Sequence, residues 1–199
     1  MSATPFDDTF KHLVELDPAA WAAWAMGRPV AEASVMDSDL ATVAARADKV
    51  IRLPREGLPD LLIDIEAESS HAAEAPPKQH AYSTLLTRKH GLPVRSVLLL
   101  LRPEANATAA TGEWEVRENP DDPDEVPYLV FRYRVVRLWE EPLAPLLEGA
   151  AALVPLAPLT DAARTDLQGT VKRAVERLRA ETPPDESSRM MSAMAVMLG

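Results

Sequence analysis

The sequence predicts an α/β domain, a mixed sheet flanked by helices, with extra helices towards the C-terminal end. Three stretches carry that expectation. Leu61–Glu68 (LLIDIEAE) alternates with the period of two that an extended chain imposes on its side chains. Val94–Leu101 (VRSVLLLL) is almost continuously apolar, as suits a strand at the centre of a mixed sheet covered on both faces. Lys78–His90 and a later stretch running to Ala180 carry helical spacing and end at Gly or Pro.

Taken in order, residues 5–27 read as one helix or two short ones. Phe6, Phe10, Leu13, Val14, Trp21 and Trp24 recur near helical spacing, Asp17-Pro18 punctuates the middle, and Gly27 and Pro29 end it. Asp7 and Lys11 lie one helical turn apart, so by spacing alone they form a surface i,i+4 pair. Residues 33–44 hold a short strand or loop near Val35. A short strand follows with Asp48 at its start and Val50 and Ile51 as core candidates, and the Pro/Gly-rich PREGLP turn leads into Leu61–Glu68 as a hairpin.

Ser69–Pro77 reads as a polar loop that would rim a site, and Lys78–His90 as a helix stopped by Gly91 and Pro93. Beyond Val94–Leu101, Glu113–Arg117 reads as a short strand, 119–127 as an acidic surface loop, and Tyr128–Trp139 as the last strand. In that strand Leu129, Phe131, Tyr133 and Val135 alternate with Arg132 and Arg134. Its basic face either turns towards the Lys78–His90 helix as a phosphate-contacting strip or protects an edge.

A short helix is expected around Leu143–Glu148. Thr160 or Asp161 is expected to cap a helix with Leu167, Val171, Val175 and Leu178 on one face. A last helix from Asp185 carries Met190, Met191, Met194 and Met197; left exposed, that stripe would favour a homo-oligomer. The expected division is a domain over residues 1–160 and a helical extension over 161–199, with truncation at its end left open.

The chemistry concentrates on Leu61–Glu68. Leu61, Ile63, Ile65 and Ala67 form the expected core face, and Asp64, Glu66 and Glu68 fall together on the other side. Like charges so close are unfavourable unless compensated. Either the acids meet water on an exposed edge strand, or they share a divalent cation, since Mg2+ takes carboxylate oxygens. On the following helix, Gln79 and Tyr82 share a face, and Arg88 and Lys89 add positive charge suited to phosphate.

The order Asp48 … Glu66-Ala67-Glu68, a helix and then a buried strand resembles the core of the PD-(D/E)xK nucleases, and within them the recombination-promoting nuclease (Rpn), or transposase-like, family of bacteria. Asp7-Asp8-Thr9-Phe10-Lys11 looks like that family's D-x-x-F-K opening. Tyr82–Leu86 with Gly91–Val94, and Phe131–Trp139, extend the likeness over residues 5–160. The resemblance implies a PD-(D/E)xK restriction-endonuclease-like core and a metal-dependent hydrolase of DNA phosphodiester bonds associated with transposition or recombination. It implies Mg2+ (or Mn2+) held by Asp48, Glu66 and Glu68. Asp64 lies one step before Glu66 on the same side of the strand, and the resemblance implies a place for it towards the rim of such a site.

One departure stands out. Where the family carries Gln or Lys two residues after the Glu, this chain has Glu68. An acid there supplies no positive charge; it binds metal or accepts a proton from water, with Lys11 as a candidate source of the missing charge. The alternative is a catalytically degenerate fold that serves as a binding or interaction module.

Composition narrows the field. The chain has 199 residues, enough for a substantial core, and a net charge of −10, which argues against broad non-specific affinity for nucleic acid. The absence of cysteine excludes disulfides, thiolate metal sites and a Cys nucleophile. No apolar run reaches bilayer length, and the reading is a cytoplasmic protein with DNA rather than a membrane as its partner. Usage rich in Ala, Arg, Pro and Asp and poor in Lys fits a GC-rich bacterial genome.

Overall fold

The computed structural model describes residues 49–70, 72–122 and 124–198, together with Pro18, Ala19, Ala23 and residues 31–34. The chain divides into two compact units, Met1–Ala44 and Ala45–Gly199. Of the first, Pro18, Ala19 and Ala23 are helical; the rest of the helix expected over residues 5–27 lies outside the described residues, as do Asp7, Lys11, Val35 and Asp48. Everything below concerns the second unit.

It opens as a hairpin. Strand β1 (Lys49–Leu53) pairs antiparallel with β2 (Leu61–Glu68) in the register Lys49↔Ile65 to Leu53↔Leu61. Gly57, at φ 70°, supplies the left-handed residue of the turn. Arg52 pins the turn by bonding Asp60 at 2.6 Å.

The chain then crosses over through helix α1 (Ala75–His90) to β3 (Val94–Leu100), which lies parallel to β2. Helix α1 starts three residues before the expected Lys78. Pro76 and Pro77 occupy its first turn, where backbone N–H groups have no helical acceptor and proline is tolerated. Gly91 ends it in the left-handed region at φ 65°, its N–H donating to Thr87 O at 2.8 Å.

The expected last strand is two strands. β4 (Glu113–Val116) and β5 (Leu129–Arg132) form a separate antiparallel pair, and β6 (Arg134–Arg137) joins the main sheet parallel to β3. The main sheet thus has the mixed order β1-β2-β3-β6. The chain changes sheet at the buried Tyr133. Phe131 meets His80 of α1 at 5.3 Å between ring centroids, whereas Arg132 is taken by Glu113 of β4 at 2.6 Å and Arg137 by Asn106 at 3.0 Å. The aromatic side of β5, not its basic side, meets the helix, and of the two alternatives the phosphate-contacting strip does not form.

Two apolar clusters hold the unit together. One joins Ala75 of α1 to Leu98, Leu100, Ala105, Ala110, Tyr133 and Trp139. The other lies among α2 (Leu143–Glu148), the 3-10 segment Ala151–Leu159, α3 (Leu167–Glu181) and α4 (Pro184–Leu198), around Leu147, Val154, Ala157, Ala174, Leu178 and Met194. Thr160 caps a 3-10 segment, Asp161–Asp166, and Asp166 accepts from Gly169 N–H at 2.9 Å to cap α3. The methionine face of α4 is used within the chain: Met194 is buried and Met190 and Met191 pack against the second cluster. Among the described residues no helix is long and apolar enough to cross a membrane.

Candidate functional site

The registers put Leu62, Asp64, Glu66 and Glu68 on the same face of the sheet as Ser96, Leu98 and Leu100, with Asp64 directly opposite Ser96. Helix α1 lies over this face, turning Ala75, Pro76 and Gln79 inward. The acidic side of β2 is therefore the buried side. Asp64 is 0% and Glu66 1% exposed, while Ile63 and Ile65 on the opposite side are only half-buried. This inverts the expected core face, and Asp64 sits at the centre of the sheet rather than at a rim. The physical reason is the crossover: β2 is an interior strand, and the helix that links it to β3 covers the carboxylates while bringing a compensating charge to Glu66 and Glu68.

That charge is Lys78. Its ammonium donates to Glu66 Oε2 at 3.1 Å, lies 4.0 Å from Glu68 Oε1, and sits 5.5 Å from the ring centre of Tyr82 one turn along. Partial burial works against the charged amine, but the hydrogen bond and negative charge of Glu66, with Tyr82 and Glu68, outweigh it and raise the Lys78 pKa above its ordinary value. Glu66 and Glu68 lie near the end of β2 and Lys78 near the start of α1, so the helix N-terminus adds to the favourable field on the carboxylates.

Two further polar side chains are buried here. Gln79 is fully enclosed and its amide has no hydrogen-bond partner among the described residues; the same holds for Ser96 Oγ. Buried polar atoms are nearly always paired, so such atoms beside buried carboxylates fit a site that holds an ion or ligand. On the same face beside β1, a cavity of about 480 Å3 opens between Val50, Arg52, Leu62, His90 and Leu92, with Val50 opposite Asp64 in the ladder.

The expected residues are thus partly assembled. Glu66, Glu68 and Tyr82 lie together around Lys78, and Asp64 lies two residues before Glu66 on the same buried face. Gln79 belongs to the same place, but as a buried group; it cannot reach a phosphate at the surface as expected. Arg88 and Lys89 are exposed at the other end of α1, about 15 Å from Lys78 at about 1.5 Å rise per residue, and there they complement the helix C-terminus. Asp48, Lys11 and Asp7 lie outside the described residues, and among the described residues no three acidic, His or Cys groups converge tightly enough to hold a metal by themselves.

Sequence reasoning missed Lys78 and Ser96. The signal for Lys78 was present: reading Pro76-Pro77 as a helix start instead of a loop end puts Lys78 in an early turn, above the end of the acidic strand. No family model, curated protein or solved structure matches this chain.

Proposed function

We propose that this chain is a metal-dependent nuclease with a PD-(D/E)xK-type core, related to the Rpn, or transposase-like, proteins, and that DNA is its substrate. The observation that carries the reading is the pair of buried carboxylates, Asp64 and Glu66, on the central strand with a lysine bonded to one of them. A hairpin, a crossover helix and a parallel strand surround the pair in the order the resemblance calls for.

The donor set suits a hard divalent cation. Asp64, Glu66, the amide oxygen of Gln79 and the hydroxyl of Ser96 are all oxygen donors, and Mg2+ needs only one or two carboxylates alongside water. The reading requires Asp48 to complete the set. A bound Mg2+ or Mn2+ supplies Lewis acidity and a more acidic water.

The residues of the chain do the rest. Asp64 and Glu66 would hold the cation in place. The half-exposed Glu68 accepts the proton that the attacking water gives up as its oxygen bonds to phosphorus. The bond from phosphorus to the leaving sugar oxygen breaks, and that oxygen takes a proton from solvent.

The test is cleavage of plasmid and single-stranded DNA with Mg2+ or Mn2+ by wild type, Asp64→Asn and Glu66→Gln. The reading expects each substitution to lower the rate by about 100-fold or more, since each removes a group that fixes the reacting atoms. Folded variants that cut as fast as wild type would place the activity elsewhere. The absence of cleavage by wild type, with no metal-induced rise in melting temperature, would leave the second reading, an interaction module on the same fold. That reading is favoured by the net charge of −10 and by Glu68 at the position where Lys or Gln is expected.

A further inference from the structure

We infer that Lys78 supplies from helix α1 the positive charge that β2 lacks at position 68, and that it acts directly on the attacking water or the scissile phosphate. The inference rests on the nuclease reading and specifies how its site works. Three observations converge on it. Position 68 carries an acid, so the strand provides no cation two residues beyond Glu66. The Lys78 ammonium stands between the two carboxylates, 3.1 Å from Glu66 and 4.0 Å from Glu68. Its side chain is 43% exposed, so the flexible stem of the lysine can carry the charge from Glu66 towards a bound phosphate without leaving the site.

Lys78 and a divalent cation compete for the same oxygens of Glu66. Without metal, the ammonium neutralises the buried carboxylate. With metal on Glu66, the ammonium would be free to donate to the water or to a non-bridging phosphate oxygen, where negative charge grows during attack. Glu68 then has two functions: it keeps the released ammonium nearby and it takes the proton of the water. Lys78 is a catalytic residue in this scheme because it touches the reacting atoms, and Tyr82 is a positioning residue that keeps its stem over the sheet.

The experiment compares wild type, Lys78→Met and the double variant Lys78→Met/Glu68→Lys in two readouts. Mn2+ affinity is measured by calorimetry, and plasmid cleavage is measured in Mg2+. The expected result for Lys78→Met is cleavage reduced about 100-fold or more, with Mn2+ affinity unchanged or tighter because a competing cation is gone. The double variant moves the lysine to the strand position at the loss of Glu68 as proton acceptor, so it is expected to recover at least tenfold over Lys78→Met at about pH 9, where solvent hydroxide takes the water's proton in place of Glu68.

Lys78→Met that cuts at the wild-type rate overturns the inference and leaves the nuclease reading standing. So does a loss of Mn2+ affinity in step with activity that the double variant does not reverse, since this marks Lys78 as purely structural. A wild type that neither binds Mn2+ nor cuts overturns the nuclease reading, and this inference with it. Should Lys78→Met fold poorly, Lys78→Arg serves instead. Arginine keeps the charge but not the compact, mobile ammonium, so the inference expects preserved melting temperature with a rate at least tenfold lower; an unaltered rate overturns it.

Discussion

Glu66 places a carboxylate at the centre of a sheet, 1% exposed, where an ion unaided is strongly unfavourable. Lys78 compensates it from a half-exposed position, so the two partners are not equivalent. Replacing Glu66 with Gln removes the buried charge and leaves an ammonium that can turn to water. The melting temperature of Glu66→Gln is therefore expected to equal or exceed that of wild type even as cleavage is lost, a combination a scanning-calorimetry trace and a cleavage assay would expose together.

Tyr133 gives a second prediction at this scale. Burial raises its phenol pKa above the ordinary 10.0, and its hydroxyl donates to Ala109 O at 3.1 Å. A raised folded pKa means the folded state keeps its proton longer than the unfolded chain. The contribution is intact below pH 10.0 and is lost as pH rises through the higher folded value. Lys78 has the same sign, intact below 10.5 and lost above it. Tyr133→Phe should cost about 1 kcal/mol at neutral pH for the lost hydrogen bond and flatten, without abolishing, the fall in stability above pH 10, read by urea unfolding across that range.

At this scale the acids were legible and their surroundings were not. The period of two puts Asp64 and Glu66 on one side of β2, but a row of carboxylates reads as a wet face. Only the tertiary position of α1 reveals that it is the dry one.

Elements were legible where one period held over a whole segment and hidden where two rules met. The hairpin, the crossover and β3 follow from alternation, turn residues and a continuous apolar run. The start of α1 was obscured because Pro76-Pro77 reads as an interruption although both prolines fit a first helical turn. The division between β5 and β6 was obscured because alternation passes unbroken through Tyr133 while the pairing partner changes from β4 to β3. The end of α1 was legible from Gly91 and Pro93. With φ at 65° and no atom within 4 Å of an added Cβ, Gly91→Ala meets only a backbone penalty. A loss of about 1–2 kcal/mol is expected in urea unfolding; an unchanged midpoint would mean that the helix ends in some other conformation.

Across the second unit, the two apolar clusters separate stability from chemistry. Leu178 is fully buried among the C-terminal helices, in a cluster that contains no residue of β2 or α1. Leu178→Ala is expected to lower stability by about 2–5 kcal/mol, yet to bind Mn2+ and cut DNA like wild type at a temperature where it remains folded. A proportionate loss of metal affinity would show that the C-terminal helices form part of the site. The expected division near residue 160 came from the extent of the family resemblance, whereas the second cluster already takes in Leu147, Val154 and Ala157.

The central claim is that the buried acids of β2 hold a divalent cation for phosphodiester hydrolysis. Its most direct test is a crystal grown with Mn2+ and measured at the manganese absorption edge. The account predicts an anomalous peak within about 2.3 Å of carboxylate oxygens of Asp64 and Glu66, with the Lys78 ammonium moved off Glu66. An empty site with Lys78 still bonded to Glu66 at saturating Mn2+ would contradict it.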